Sequence, residues 1–175
     1  MQEIEPLDPV IIDGRHLRRP DVVTVARGRP PVHLDAGGRS RAHAASELAI
    51  HIAAARPIYG RSTGVGANRI EVVTDDVAGH GLRLLRSHAS GAGELEPPDR
   101  ARAMMVVRLN QLAAGGSGVD PRVLDALVAA LDTGASPEFR RGDGSFPGVA
   151  IPLDEARDAL GDLRVRIVAE KLARF

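Results

Sequence analysis

Apolar positions along this 175-residue chain recur mostly at helical spacing, with short extended runs near the beginning. Pro9-Val10-Ile11-Ile12 is an apolar run closed by the turn pair Asp13-Gly14 and predicts a short strand. Pro31-Val32-His33-Leu34 predicts a second. Between them, Pro20-Asp21 opens a short helix over 22–26 that ends near Gly28. After Gly37-Gly38, the alanine-rich run 40–55 has high helix propensity. It stops before Pro57, because a residue preceding proline is pushed out of helical geometry.

Residues 57–69 predict a loop and 70–73 an extended segment. Thr74 is placed to cap a helix whose first turn holds Asp75 and Asp76. From Val77 onward, Leu84, Leu85 and His88 fall on one face. Pro97-Pro98 begins the next helix, with Met104, Met105, Leu109 and Leu112 at core spacing and Gly115-Gly116 at its end. Asp120 as N-cap and Pro121 at the first helical position open another. Its apolar face is Val123, Leu124, Leu127, Val128 and Leu131, and Gly134 takes the C-cap position. Residues 135–152 are rich in Pro and Gly and predict a long loop, and 153–172 repeat as an amphipathic helix. The expected fold is mainly α with short β-strands near the N-terminus, divided into 1–134, a loop 135–152 and a terminal helix 153–175.

Composition narrows the function classes. The 23 basic and 23 acidic residues cancel, which gives no electrostatic argument for nucleic acid or an anionic membrane. Nearly every basic residue is arginine, interspersed with acids, and Lys171 is the one lysine. With no cysteine, disulfides, thiolate catalysis and cysteine zinc sites are excluded. The histidines at 16, 33, 43, 51, 80 and 88 show no metal-ligand spacing. No apolar run approaches the roughly 20 residues that span a bilayer. The acidic start Met1-Gln2-Glu3-Ile4-Glu5 lacks a signal-peptide core, so a cytoplasmic protein is expected.

The chemistry concentrates in Pro57-Ile58-Tyr59-Gly60-Arg61-Ser62-Thr63-Gly64-Val65-Gly66-Ala67-Asn68-Arg69, which contains the chain's single tyrosine. A phenol set among glycines has backbone N–H groups within reach, and such loops often carry function. Without a following Lys-Ser or Lys-Thr it is not a phosphate-binding P-loop. Gly115-Gly116-Ser117-Gly118 follows a helix rather than a strand, which argues against a hydrolase nucleophile elbow.

In order, these segments resemble the N-terminal part of the histidine and aromatic amino acid ammonia-lyases. The resemblance starts at Val10-Ile11-Ile12-Asp13-Gly14 and peaks at Tyr59-Gly60-Arg61-Ser62-Thr63-Gly64-Val65-Gly66. It continues through Leu84-Leu85-Arg86-Ser87-His88-Ala89-Ser90-Gly91 and Arg108-Leu109-Asn110-Gln111-Leu112, ending near 134. The resemblance implies a helical lyase fold and an oligomer. It implies that Tyr59 is the general base that removes a β-proton from an amino acid, and that Gly60, Thr63, Gly64 and Gly66 form a lid loop. His88 is implied to lie near the substrate, as is Asn110, for which a structural role tying helices together stands as the other reading. A free phenol has a pKa near about 10, so such a base needs help from its surroundings.

The family makes its electrophile, methylideneimidazolone, by cyclising an internal Ala-Ser-Gly. At the corresponding place this chain reads Gly142-Asp143-Gly144-Ser145-Phe146-Pro147-Gly148, so no cofactor is expected from that segment. Ala89-Ser90-Gly91 spells the tripeptide but lies in the block that precedes the family's cofactor loop, and a helix end there does not supply the strained turn. Three readings follow. The chain is a truncated or split lyase-like protein acting as a homo-oligomer or with a second lyase-like chain. Alternatively it is a non-catalytic domain that binds an amino-acid-like small molecule or regulates a lyase, or it is a gene remnant.

Overall fold

The computed structural model describes residues 7–73, 79, 80, 83 and 94–138. Strand β1, Val10–Ile12, and strand β2, Val32–Leu34, pair in parallel with Val10 opposite Val32 and Ile12 opposite Leu34. Helix α1, Arg19–Gly28, is the crossover between them. It starts three residues earlier than the sequence pattern predicts, because the Asp21 carboxylate accepts the Arg18 N–H at 2.8 Å and Pro20 suits the first turn.

Helix α2, Ala36–Ala55, also begins earlier than predicted and runs through Gly37 and Gly38. Two forces override the poor helix propensity of glycine there. Asp35 caps the helix by accepting the Gly38 N–H at 3.1 Å, and buried Gly38 lets α2 pack closely on Ala113, a Cβ there standing 3.3 Å from that of Ala113. Helix α3, Pro98–Ala113, is central and packs on α1, α2 and α4, the last being Arg122–Asp132. Pro121 sits one position before α4 rather than inside it, yet the Asp120 carboxylate still accepts the Arg122 N–H at 2.9 Å.

Ile12, Val25, Val32, Val106, Leu109, Leu124 and Leu131 form the fully buried centre. Met105 and Leu112 join it as their spacing predicts, whereas Met104 points outward at 43% exposure. The 3.6-residue period explains the correction: Met104 lies 100° from Met105 and 140° from Leu109, the fully buried centre of the helix's inner face.

Arg102 is a buried cation that apolar periodicity does not reveal. It is 1% exposed, and its fork crosses from α3 to the carboxyl ends of two helices. Nε and Nη2 donate to Val25 O of α1 at 3.2 and 3.1 Å, and Nη1 donates to Leu131 O of α4 at 3.0 Å. These carbonyls belong to last turns, whose oxygens lack intrahelical donors and whose dipoles favour a cation. Burial lowers the Arg102 pKa, with Arg29 adding to the effect and Asp132 opposing it. Asp132 in turn accepts the Val32 N–H at 2.9 Å, fastening β2 to α4.

The predicted cap at Thr74, most of the helix that follows, His88, the loop beyond residue 138 and the terminal helix lie outside the described residues.

Candidate active site

Arg56 ends α2 in extended geometry, its N–H still bonded to Ile52 O at 3.0 Å, and Pro57 carries the chain away. A tight turn follows. Ile58 O accepts N–H groups of Arg61 (3.1 Å) and Ser62 (3.0 Å), and the Ile58 N–H donates to Ser62 Oγ at 2.9 Å. The strand-like return then closes the loop. Thr63 bridges Val72 antiparallel, Gly64 N–H donates to Glu71 O at 3.0 Å, and Val73 N–H donates to Ser62 O at 2.8 Å. A 3₁₀ turn, Gly66–Asn68, forms the tip.

Tyr59 is half-buried on this turn, and its Oη accepts the Gly66 N–H at 3.0 Å. The phenol oxygen is therefore held by the backbone of the same loop, seven residues on. Gly60 and Gly66 both take left-handed φ values, +69° and +60°. Gly64 is required for space: a Cβ there would stand 2.4 Å from Asn68 O. Thr63 is buried at the centre, where its Oγ1 accepts the Gly60 N–H at 3.2 Å and donates to Gly64 O at 3.0 Å.

His80, which the sequence offered only as a histidine without metal spacing, anchors this arrangement. It is buried, and its Nε2 lies 2.9 Å from Thr63 O. A carbonyl can only accept, so Nε2 carries the proton. A histidine seventeen residues from its partner leaves no periodic signal, and only the folded loop brings the two together.

Asn110 does not join that loop by any hydrogen bond among the described residues. Its Oδ1 accepts the Gly14 N–H at 2.9 Å and ties the turn after β1 to α3. Gly14 fits there because its φ is +79° and because a Cβ would stand 2.4 Å from Ala114 N. In the same turn, Asp13 Oδ1 accepts the N–H groups of Arg15 (2.8 Å) and His16 (2.9 Å). Hydrogen bonds from His16, through backbone and side chain, and from Arg15 hold the Asp13 carboxyl well below the usual carboxylate range.

The described residues do not fit the family's electrophile. They contain no Ala-Ser-Gly, and Ala135-Ser136 is followed by Pro137, whose ring nitrogen has no hydrogen to lose on cyclisation. Ala89-Ser90-Gly91 lies outside the described residues. No group of three or more metal-ligating side chains occurs among the described residues, and no described helix is long and apolar enough to cross a membrane.

Residues 17–143 match the family described as aromatic amino acid lyase. The chain is 40% identical over 131 residues to a histidine ammonia-lyase of Treponema denticola, covering 74% of this chain and 26% of that enzyme. Similarity to a probable histidine ammonia-lyase of Halobacterium salinarum extends over 169 residues at 35% identity, 93% of this chain and 32% of the relative. Among solved structures, a tyrosine aminomutase from Streptomyces globisporus superposes with a TM-score of 0.71 at 36% identity, covering 75% of this chain and 26% of the other. The fold is thus the helical lyase fold, and the chain spans about a quarter to a third of the length of these relatives.

Proposed function

Because this chain belongs to the aromatic amino acid lyase family, we propose that it supplies the general base, Tyr59, to a carbon–nitrogen lyase active site completed by other polypeptide. The completing part is a second lyase-like chain or another copy of this one, and it brings the electrophile that the described residues do not fit. The substrate class is an amino acid carrying a β-proton, a reading supported by similarity to a histidine ammonia-lyase and a tyrosine ammonia-lyase. Tyr59 Oη receives the β-proton, His88 contacts the substrate, and Gly60, Thr63, Gly64 and Gly66 shape the lid over it. Asn110, its Oδ1 already bonded to Gly14 N–H, positions the β1 turn.

One observation carries this reading: the Gly66 N–H aimed at Tyr59 Oη from 3.0 Å. A fixed N–H donor directed at oxygen stabilises negative charge there without reorganising during proton transfer. That contact takes one lone pair of Oη and leaves others for a substrate proton.

The test is ammonia release from histidine, tyrosine and phenylalanine by the chain purified with its native partner. Tyr59→Phe in that complex is expected to lower kcat by about 10²–10⁴-fold, the contribution of a positioned base. Activity unchanged in Tyr59→Phe sinks the assignment. Intact mass of the purified chain adds an independent check: loss of two waters would place an electrophile here and overturn the division of labour.

A further inference from the structure

Strand β1 uses only one of its two edges. Successive residues of a strand in a parallel pair turn their N–H and C=O groups alternately to one side and the other. Val10 N–H donates to Pro31 O and Ile12 O accepts the Asp35 N–H, both at 2.9 Å, so residues 10 and 12 bond toward β2 and Ile11 turns to the opposite edge. The outer edge of β2 is closed by Asp132, which holds the Val32 N–H. Nothing comparable closes β1. Neither the amide nor the carbonyl of Ile11 has a hydrogen-bond partner among the described residues, and its side chain is 54% exposed. Between β1 and α1 lies an open hollow of about 770 Å³, whose lining includes Val10, Ile11, Arg15, Leu17 and Thr24. An uncovered strand edge is a template for another strand.

This edge is complementary to itself. An antiparallel copy of β1 centred on Ile11 sets Ile11 opposite Ile11 as a hydrogen-bonded pair, each giving its N–H to the other's carbonyl. Two residues along, Pro9 stands opposite Asp13. Pro9 has no N–H to give, and Asp13 O needs none, because Arg41 Nη2 already donates to it. Charge points the same way. Asp8 and Arg15 flank β1 at opposite ends, and neither has an ion pair among the described residues, whereas His16 is held by Asp13 and Arg18 by Asp21. Antiparallel pairing brings Asp8 of each copy to the end of the partner strand that carries Arg15, twice over. A peptide of one charge sign would meet attraction at one end and repulsion at the other.

We infer that β1 is a self-recognition edge: a second copy of this chain adds its own β1 antiparallel across Ile11, joining two two-stranded sheets into one of four strands about a two-fold axis. Opposed residues of a sheet share a face, so the exposed Ile11 side chains cover one another. This edge stands apart from the lyase reading, and a failure here leaves the role of Tyr59 untouched.

Because the chain has no cysteine, Ile11→Cys in the full chain places one thiol per copy at the two-fold axis. A hydrogen-bonded pair there spans about 5.5 Å between Cα atoms, within disulfide reach. Val23→Cys, at an exposed position on α1, is the control. Mild oxidation is expected to give a covalent dimer from position 11 at least about tenfold faster than from position 23. Sedimentation velocity of the unmodified chain is expected to show the dimer. Ile11→Pro removes only an outward N–H, spares the β1–β2 ladder and weakens self-association at least about tenfold. Asp8→Arg and Arg15→Asp each weaken it, and combining the two restores it, which a merely misfolded variant would not do. A monomer at high micromolar concentration, equal cross-linking from 11 and 23, or a dimer untouched by Ile11→Pro overturns the self-pairing. So does an Ile11 amide still protected from hydrogen exchange in the diluted monomer, because the chain's own residues would then close the edge.

Discussion

Replacing Arg102 by methionine keeps most of the aliphatic stem and removes the fork, which isolates its electrostatic role. Val25 O then loses both of its guanidinium donors, while Leu131 O keeps the Gly134 N–H at 3.3 Å. A buried carbonyl left without a partner costs about 1–3 kcal/mol, and a hydrogen bond from a charged donor contributes about 1.5–3 kcal/mol. Relief of the guanidinium's own desolvation offsets part of this. The expected loss is about 2–4 kcal/mol, or roughly 6–12 °C in Tm for a domain of this size. Thermal melts followed by far-UV circular dichroism, with urea unfolding alongside, measure it. Arg102→Lys should fall between wild type and methionine, because an ammonium cannot span both helix ends as the planar fork does. A methionine variant melting within about 2 °C of wild type would refute the claim that this fork ties α1 to α4 through α3.

The other predictions concern the site and its supports. His80→Ala removes the donor to Thr63 O, and hydrogen exchange should accelerate across 58–73 while the core stays protected; unchanged exchange there refutes the anchor. Asn110→Leu orphans the Gly14 N–H and should cost about 1–3 kcal/mol in urea unfolding, whereas Asn110→Asp retains the acceptor and most of the stability. Equal losses in the two variants would rule out the tying role. The lowered Asp13 pKa means its stabilisation is present above the unfolded carboxylate value, about 3.9, and is lost as pH falls below it. Asp13→Asn should therefore flatten the decline of stability below about pH 4, measured by urea unfolding as a function of pH, and an unaltered acid limb refutes the contribution.

Where a local rule is written into neighbouring residues, the chain could be read directly. Both strands, the helix after Pro97-Pro98, the α4 face with Leu124 and Leu131, and the end of α2 before Pro57 all follow from period, proline geometry and turn pairs. The glycine loop is legible in the same way, because Tyr59, Gly60, Gly64 and Gly66 stand within eight residues. The start of α2 is not, because Gly37-Gly38 signals a break and close packing against Ala113 makes a helix instead. Nor is the outward turn of Met104, since an apolar side chain shows its type but not its azimuth until the neighbouring helices are in place.

Contacts across long stretches of chain had no such local record. The Arg102 fork, the Asn110–Gly14 bond and the His80–Thr63 bond join groups 17 to 96 residues apart. Each partner is a backbone amide or carbonyl, a group every residue possesses, so no side-chain pattern announces which one is chosen. Local chemistry wrote the helices, turns and reactive loop into the order of residues; packing alone selected which buried polar atoms close the structure, because that depends on where helix ends and carbonyls come to rest.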